Sequence, residues 1–378
     1  MYINHIKVRN WKNFKEVEAD LSLRTFVIGP NAAGKSNLLD VFRFLRDVAN
    51  DGLRRAVDDV RGGISTIRCL AATQYSNVDL EVHLAEPGQP SWVYRLSLNQ
   101  DNNRRPIVRE ETVWRGEQMV KQRPNDADQS DPELLTQTAL EQISANQEFR
   151  EVATFFKSIS YQHLLPQVVR DPRGFSPLPI QDDPFGRDFL LRLWKTAPKT
   201  RDARLRKITA ALRSAVPQLT ELSVELDQSG VPHLIGGYSH WRVHAAKQNE
   251  SQFSDGTLRL LGLLWTTFEG DGPLLLEEPE ISLHPEVVRR LPMIFSRINR
   301  NRKTPRQIIL STHSEEMLRD PGIAAEEVLR LEPSPNGTLL RRAEEADRQA
   351  MRAGLTAADV LMPKAAPGDI QQMVLEFP

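Results

Sequence analysis

The run Gly29-Pro30-Asn31-Ala32-Ala33-Gly34-Lys35-Ser36 matches the pattern G-x-x-x-x-G-K-[ST] at every fixed position. Residues of these types at this spacing hold a chain of phosphates. Backbone N–H groups of the loop and of the following helix end face the oxygens, the lysine reaches the β- and γ-phosphates, and the serine hydroxyl holds Mg²⁺. Gly29, Asn31, Gly34, Lys35, Ser36 and Asn37 are the expected nucleotide-binding residues, with Ser36 also a metal ligand.

Three further clusters carry chemistry. Leu274-Leu275-Leu276-Glu277-Glu278-Pro279-Glu280 is an apolar run ending in carboxylates. On a central strand, Glu277 would hold Mg²⁺ through its water shell and Glu278 would polarise the water that attacks a γ-phosphate. In isolation such a pair is a solvated loop end; beside a phosphate loop it is a hydrolytic site. Ile308-Ile309-Leu310-Ser311-Thr312-His313 ends a second apolar run in a polar group, where His313 can donate to a γ-phosphate or orient a water. Ser254 and Gly256 open a helix bearing Leu258, Leu261 and Leu264, giving a second anion-binding helix end.

These groups need elements to position them. Thr25 to Ile28 reads as a buried strand, and Ser36 to Val48 as a helix with Leu38, Val41, Phe42, Leu45 and Val48 on one apolar face. Tyr2 to Arg9 and Glu16 to Leu23 read as strands around a turn at Asn10 to Asn13. Val78 to Leu84, Trp92 to Leu98 and Ile107 to Trp114 predict an antiparallel meander, a small β layer beside the nucleotide core. Gln122 to Pro132 reads as a polar linker, and Glu133 to His163 and Phe185 to Val216 as helical, separated by a proline-rich loop from Arg170. Strand signals return at Leu219 to Leu226, Pro232 to Ile235 and Trp241 to Ala245, followed by a β-αβ rhythm. The expected division is an N-terminal lobe over 1–125, a helical insertion or lid over 126–216, a C-terminal lobe over 217–340 and a tail over 341–378.

In this order, the phosphate loop, Ser254-Asp255-Gly256-Thr257, the Glu277-Glu278 strand end and Ser311-Thr312-His313 resemble the ATP-binding cassette ATPase head. The branch they resemble is that of the RecF, SMC and OLD-type ATPases. Ile6-Lys7-Val8-Arg9-Asn10-Trp11-Lys12-Asn13-Phe14 is similar to that branch's opening strand and turn, and Glu278-Pro279-Glu280-Ile281-Ser282-Leu283-His284-Pro285 to its Walker B and D-loop. The resemblance covers about 1–120 and 216–335. It implies an α/β P-loop NTPase with an ABC-ATPase-like two-lobed head, an antiparallel β subdomain and a helical insertion. It implies ATP as substrate with Mg²⁺, Glu277 at the usual aspartate position, Glu278 as catalytic base, and His313 as the switch histidine. Ser254 and Gly256 would cap the ATP of an opposite subunit, and Lys12 would lie near the phosphates. Glu277 adds a methylene where Asp is usual, Ser-Asp-Gly-Thr stands for the commoner Ser-Gly-Gly-Gln, and Gln74 is the candidate for the metal-contacting glutamine.

The resemblance further implies a head-to-tail homodimer or higher oligomer acting as an ATP-gated switch. A separate effector such as a nuclease or toxin in an antiviral defence-type system is the first expectation. A RecF-like DNA repair ATPase and a catalytically slow ATP-binding scaffold are the alternatives. The proline-broken insertion is too short for the SMC coiled coil, and the single cysteine, Cys69, excludes a Cys-x-x-Cys hook and an internal disulfide. The stretch after His313 to Pro378 is too short for a Toprim nuclease. Forty-nine basic and fifty acidic residues announce no global nucleic-acid field, although the Arg201 to Arg213 run could meet DNA or a partner. His240 and His244 lie four apart in a strand-like run that does not suit a metal site, and Glu344, Glu345 and Asp347 read as a helix surface. Without a leader or an eighteen-residue apolar run, a cytoplasmic protein with no membrane partner is expected.

Overall fold

The strands near the N-terminus are β1 (Tyr2–Trp11), β2 (Phe14–Asp20) and β3 (Arg24–Ile28), followed by β4 (Val78–Ala85), β5 (Trp92–Gln100), β6 (Pro106–Arg115) and β7 (Gln118–Arg123). Further on are β8 (Ser160–Gln162), β9 (Leu219–Leu226), β10 (Pro232–Tyr238), β11 (Ala246–Asn249), β12 (Leu274–Glu277), β13 (Ile308–Ser311), β14 (Val328–Glu332) and β15 (Leu339–Arg342). The computed structural model describes residues 1–171, 183–239 and 246–366. The expected strand at Trp241 to Ala245, the His240/His244 pair and most of the proline-rich loop lie outside the described residues.

The chain divides into two compact units. The first comprises 1–160, 272–275 and the chain from Thr304 on; the second comprises 161–271 and 276–303. Within the first, β1, β2 and β4 to β7 form an antiparallel sheet in the order β2-β1-β4-β5-β6-β7. Period-two alternation makes it one-sided: Val78, Leu80, Val82 and Leu84 of β4 and Trp92, Tyr94, Leu96 and Leu98 of β5 are buried, with polar residues between them. The expected meander is present and gains β7, whose residues are mostly exposed apart from Arg123. An exposed edge strand carries no apolar alternation, so it resembles a linker in sequence.

The other sheet has the order β15-β14-β3-β13-β12-β8. β3 lies between β13 and β14, parallel to both, and β15 returns antiparallel to β14. Phe26, Val27 and Ile28 are fully buried, as a strand covered on both faces requires. The helix Lys35–Asp51 buries all five expected apolar positions, and also Asp40, Arg46 and Asp47. The described part of the expected insertion contains less helix than its composition suggested. Single 3₁₀ turns at Pro132–Thr136 and Gln147–Phe149 precede the helix Arg150–Lys157, because Asn125 and Asp131 cap short turns instead of continuing one.

The second unit holds β9 to β11 as a three-stranded antiparallel sheet and a set of helices, among them Pro166–Arg170, Phe189–Lys195, Pro198–Leu212, Asp255–Phe268 and Leu291–Arg300. Asp255–Phe268 is almost wholly buried from Thr257 to Thr267.

Candidate functional site

The phosphate loop is held open by its own backbone. Gly29, Ala32 and Gly34 have positive φ values of 153°, 62° and 97°. A Cβ on Gly34 would stand 2.1 Å from Asn13 Nδ2, so at that φ the position suits only glycine. Lys35 is buried, and its Nζ donates to the carbonyls of Gly29 at 3.0 Å and Pro30 at 3.2 Å. The ammonium is thereby kept within the loop.

Asn13 fastens that loop to its surroundings. Its Nδ2 donates to Ala33 O at 2.9 Å and to Thr338 Oγ1 at 2.7 Å, and its Oδ1 accepts from Asn37 Nδ2 at 2.8 Å. Trp11 Nε1 donates to Asn37 O at 3.1 Å, which ties the start of the helix to the β1–β2 turn. No local motif marks the role of Asn13, because its partners Asn37 and Thr338 lie far from it in the sequence.

Lys12 points its ammonium at Asp40 Oδ2, 2.6 Å away, on the helix that follows the loop. Asp40 is also gripped bidentately by Arg61 at 2.8 and 3.0 Å, and Arg61 reaches Asp47 at 2.9 Å. Burial pushes the Asp40 carboxyl up, but Arg61 and Lys12 outweigh it and hold it down to about 2. Gln74, the candidate for the metal-contacting glutamine, is exposed in the stretch before β4.

His313 leaves the sheet at the same end as the phosphate loop. β13 runs parallel to β3 with Ser311 opposite Val27, and Thr312 N donates to Val27 O at 3.0 Å. Ser311 and Thr312 are fully buried and His313 is exposed. Ser314 N donates to Thr312 Oγ1 and Ser314 Oγ caps the next turn, so the backbone carrying His313 is fixed on both sides.

In the second unit, Glu277 ends β12 half-buried. Tyr161 donates its hydroxyl to Glu277 Oε2, and His163 Nδ1 lies 3.2 Å from Glu277 O. Glu278 takes a positive φ of 41°, and its carbonyl accepts from buried Arg259 at 3.0 Å. A left-handed turn directly after a strand swings the Glu278 side chain out of the strand's alternation.

Ser254 caps the helix Asp255–Phe268, accepting from Thr257 N at 3.2 Å. A Cβ on Gly256 would stand 2.6 Å from Ser282 O, so glycine there allows the Ser282 backbone, itself at φ 65°, to pack on the helix start. Arg170 pairs with Asp255 at 2.6 Å and donates to Phe253 O at 2.5 Å, while Gln167 Nε2 donates to Asp255 at 3.1 Å. The short helix Pro166–Arg170 thus braces this helix end, a role for Arg170 that the sequence did not reveal. Ser36 and Glu277 are hard oxygen donors, the type Mg²⁺ takes alongside water and substrate phosphates. Among the described residues no group of three or more His, Cys, Asp or Glu is arranged to hold a metal by itself.

A phosphate loop closing a central strand of one sheet, an antiparallel β layer, and a helix capped by a Ser-x-Gly start have the fold of a P-loop NTPase with an ABC-type head. A protein-family model described as "AAA domain, putative AbiEii toxin, Type IV TA system" matches residues 24–319, and the chain belongs to that family of ATPases. The DNA replication and repair protein RecF of Crocosphaera subtropica is 34% identical over 110 residues, and that of Picosynechococcus sp. is also 34% identical over 110. Each match covers 28% of this chain, and the chain spans only 28% and 27% of those two relatives. Two solved structures share the fold. The structure titled "Crystal structure of the SmcHead bound to the C-winged helix domain of ScpA" superposes over 93% of this chain and 100% of its own at a TM-score of 0.56 and 15% identity. An Smc head derived from Pyrococcus furiosus gives 0.51 at 12% identity, over 93% of this chain and 98% of its own. No described helix is long and apolar enough to cross a membrane.

Proposed function

We propose that this ATPase-family head binds ATP with Mg²⁺, hydrolyses it, and joins a second copy head-to-tail when ATP is bound. Lys35 and the N–H groups of the Gly29 to Ser36 loop hold the β- and γ-phosphates. Ser36 and Glu277 hold the Mg²⁺, which supplies charge neutralisation of the phosphates. Glu278 takes a proton from the attacking water and His313 orients the γ-phosphate end. Ser254 and Gly256 offer their helix end to the nucleotide of the other copy. The observation that carries this reading is the parallel pairing of β3 with β13, which brings the phosphate loop and His313 to one end of one sheet. Phosphate release from purified protein with ATP and Mg²⁺ tests it: wild type should turn over, while Glu278→Gln and Lys35→Ala should each fall by at least about a hundredfold. Turnover retained in Glu278→Gln would remove that residue from the chemistry.

The biological setting follows two lines. The family's description names a Type IV TA system, which favours a defence-type role. The RecF relatives are named for DNA replication and repair, which favours a DNA-binding ATPase. ATP-dependent, salt-sensitive binding to duplex DNA distinguishes the second from the first.

A further inference from the structure

We propose that the second unit carries a docking groove for an acidic amphipathic helix of a partner protein, formed by the helices Pro198–Leu212, Asp255–Phe268 and Leu291–Arg300. The groove has a volume of about 350 Å³ and is mostly apolar. Its floor is Ile208, Leu264, Phe268, Ile294 and Ile298, with Ala211 on one bank. Ile208 and Leu264 are buried beneath it, whereas Phe268, Ile294 and Ile298 are half-buried and meet solvent through the opening.

The rim is cationic. Lys207, Arg297 and Arg302 line it. Arg302 is engaged with the carbonyls of Thr267 and Gly270 and with Asp271, whereas Lys207 and Arg297 have no carboxylate partner among the described residues. The Lys207 ammonium stands 5.8 Å from the Phe268 ring, its stem lying over the apolar surface. The two banks continue this bias. Pro198–Leu212 carries Lys199, Arg201, Arg204, Arg206 and Lys207 against Asp202 alone, and Leu291–Arg300 carries Arg297 and Arg300 with no acid at all. In a chain of net charge −1, this is a concentrated positive field around an apolar slot.

That combination selects the occupant. A DNA duplex would pair with the cations, but its bases stay stacked inside and it has nothing to place on Phe268, Ile294 and Ile298. A neutral apolar segment would fill the slot and leave Lys207 and Arg297 unanswered. An amphipathic helix satisfies both, with apolar anchors at i, i+3 or i+4 and i+7 in the slot and Glu or Asp on its flanks facing the rim. The inference is independent of ATP turnover, and its test is run without ATP.

The probe is a synthetic helical peptide with Leu anchors at that spacing and Glu on the flanks, labelled with fluorescein and titrated with full-length protein by anisotropy. Controls are a scrambled peptide of identical composition, the same helix with Lys for Glu, and a labelled DNA duplex. The acidic helix should bind at least about tenfold tighter than either control peptide, a difference of about 1.4 kcal/mol. Lys207→Glu with Arg297→Glu should weaken it about tenfold by charge, and Ala211→Trp should weaken it as much by filling the slot. All three positions are exposed, so folding should be intact, as thermal melts would verify. Equal binding of the scrambled peptide, indifference to these variants, or a DNA duplex competing the peptide off would overturn the proposal.

Discussion

The candidate functional residues of the two units are secured in different ways. In the first unit the phosphate loop is wired into the fold by Asn13, Asn37 and Thr338, and one turn further on by the buried Asp40–Arg61–Asp47 network. In the second, Ser254 is exposed and Glu277 and Glu278 are half-buried on a turn, with contacts from Tyr161 and Arg259, while Arg170 braces the helix end. A preformed phosphate cradle costs little reorganisation when a nucleotide enters. Ser254, exposed at a helix end, is reachable by a ligand that arrives later.

The contrast breaks most visibly at Arg61. Arg61→Ala leaves Asp40 and Asp47 buried with less compensation, and should cost about 3–5 kcal/mol in urea unfolding. At the Ser254 helix end, Arg170→Ala, which frees a partly exposed pair, should cost about 1 kcal/mol or less. An equal loss in both variants would erase the distinction between the two units.

A second consequence concerns pH. Glu141 accepts from Thr138 N at 3.1 Å and from Leu53 N at 2.5 Å, just past the end of the helix that starts at Lys35. Burial, opposed by those two N–H donors and aided by the nearby Glu111 carboxylate, pushes its carboxyl from 4.5 up to about 7. Glu111, wholly buried and accepting from Tyr94, Ala139 and Leu140, is raised as well. A carboxyl raised in the folded state favours folding while it is protonated. Its stabilisation is fully present below about pH 4.5 and is lost as pH rises toward 7. Global stability attributable to this group should therefore fall by about 2 kcal/mol over that window. Glu141→Gln should flatten the slope in melts taken across it; an unchanged slope would remove Glu141 as the cause.

A further variant tests the loop's fastening. Asn13→Ala removes donors to Ala33 and Thr338 and an acceptor for Asn37, without touching any group that contacts phosphate in the proposal. ATP affinity should drop about tenfold by calorimetry, the scale of one lost hydrogen-bonding network member. No change would show that the loop holds its shape unaided.

Much of this was legible from the sequence, because the chemistry lies in contiguous runs. The phosphate loop, the Leu-Leu-Leu-Glu-Glu strand end and Ser311-Thr312-His313 announce both their residues and their elements, and the apolar face of Lys35–Asp51 is buried at every expected position. What escaped was long-range or weakly patterned. Asn13 meets Thr338 across most of the chain, Arg170 braces Asp255 from a separate helix, and β7 is an edge strand without alternation. The expected helices before His163 shrink to capped turns and Arg150–Lys157, since composition favours helix where Asn125 and Asp131 locally favour ending one. Lys12 meets Asp40 in the fold, a contact no motif encodes.

The central claim is that the site becomes complete when ATP brings a second copy to the first. Sedimentation velocity of Glu278→Gln with Mg²⁺, with and without ATP, tests it most directly. The account predicts a shift to a dimer with ATP that is absent without ATP and abolished by adding Ser254→Arg. A sedimentation coefficient unmoved by ATP in a protein that demonstrably binds it would contradict the account.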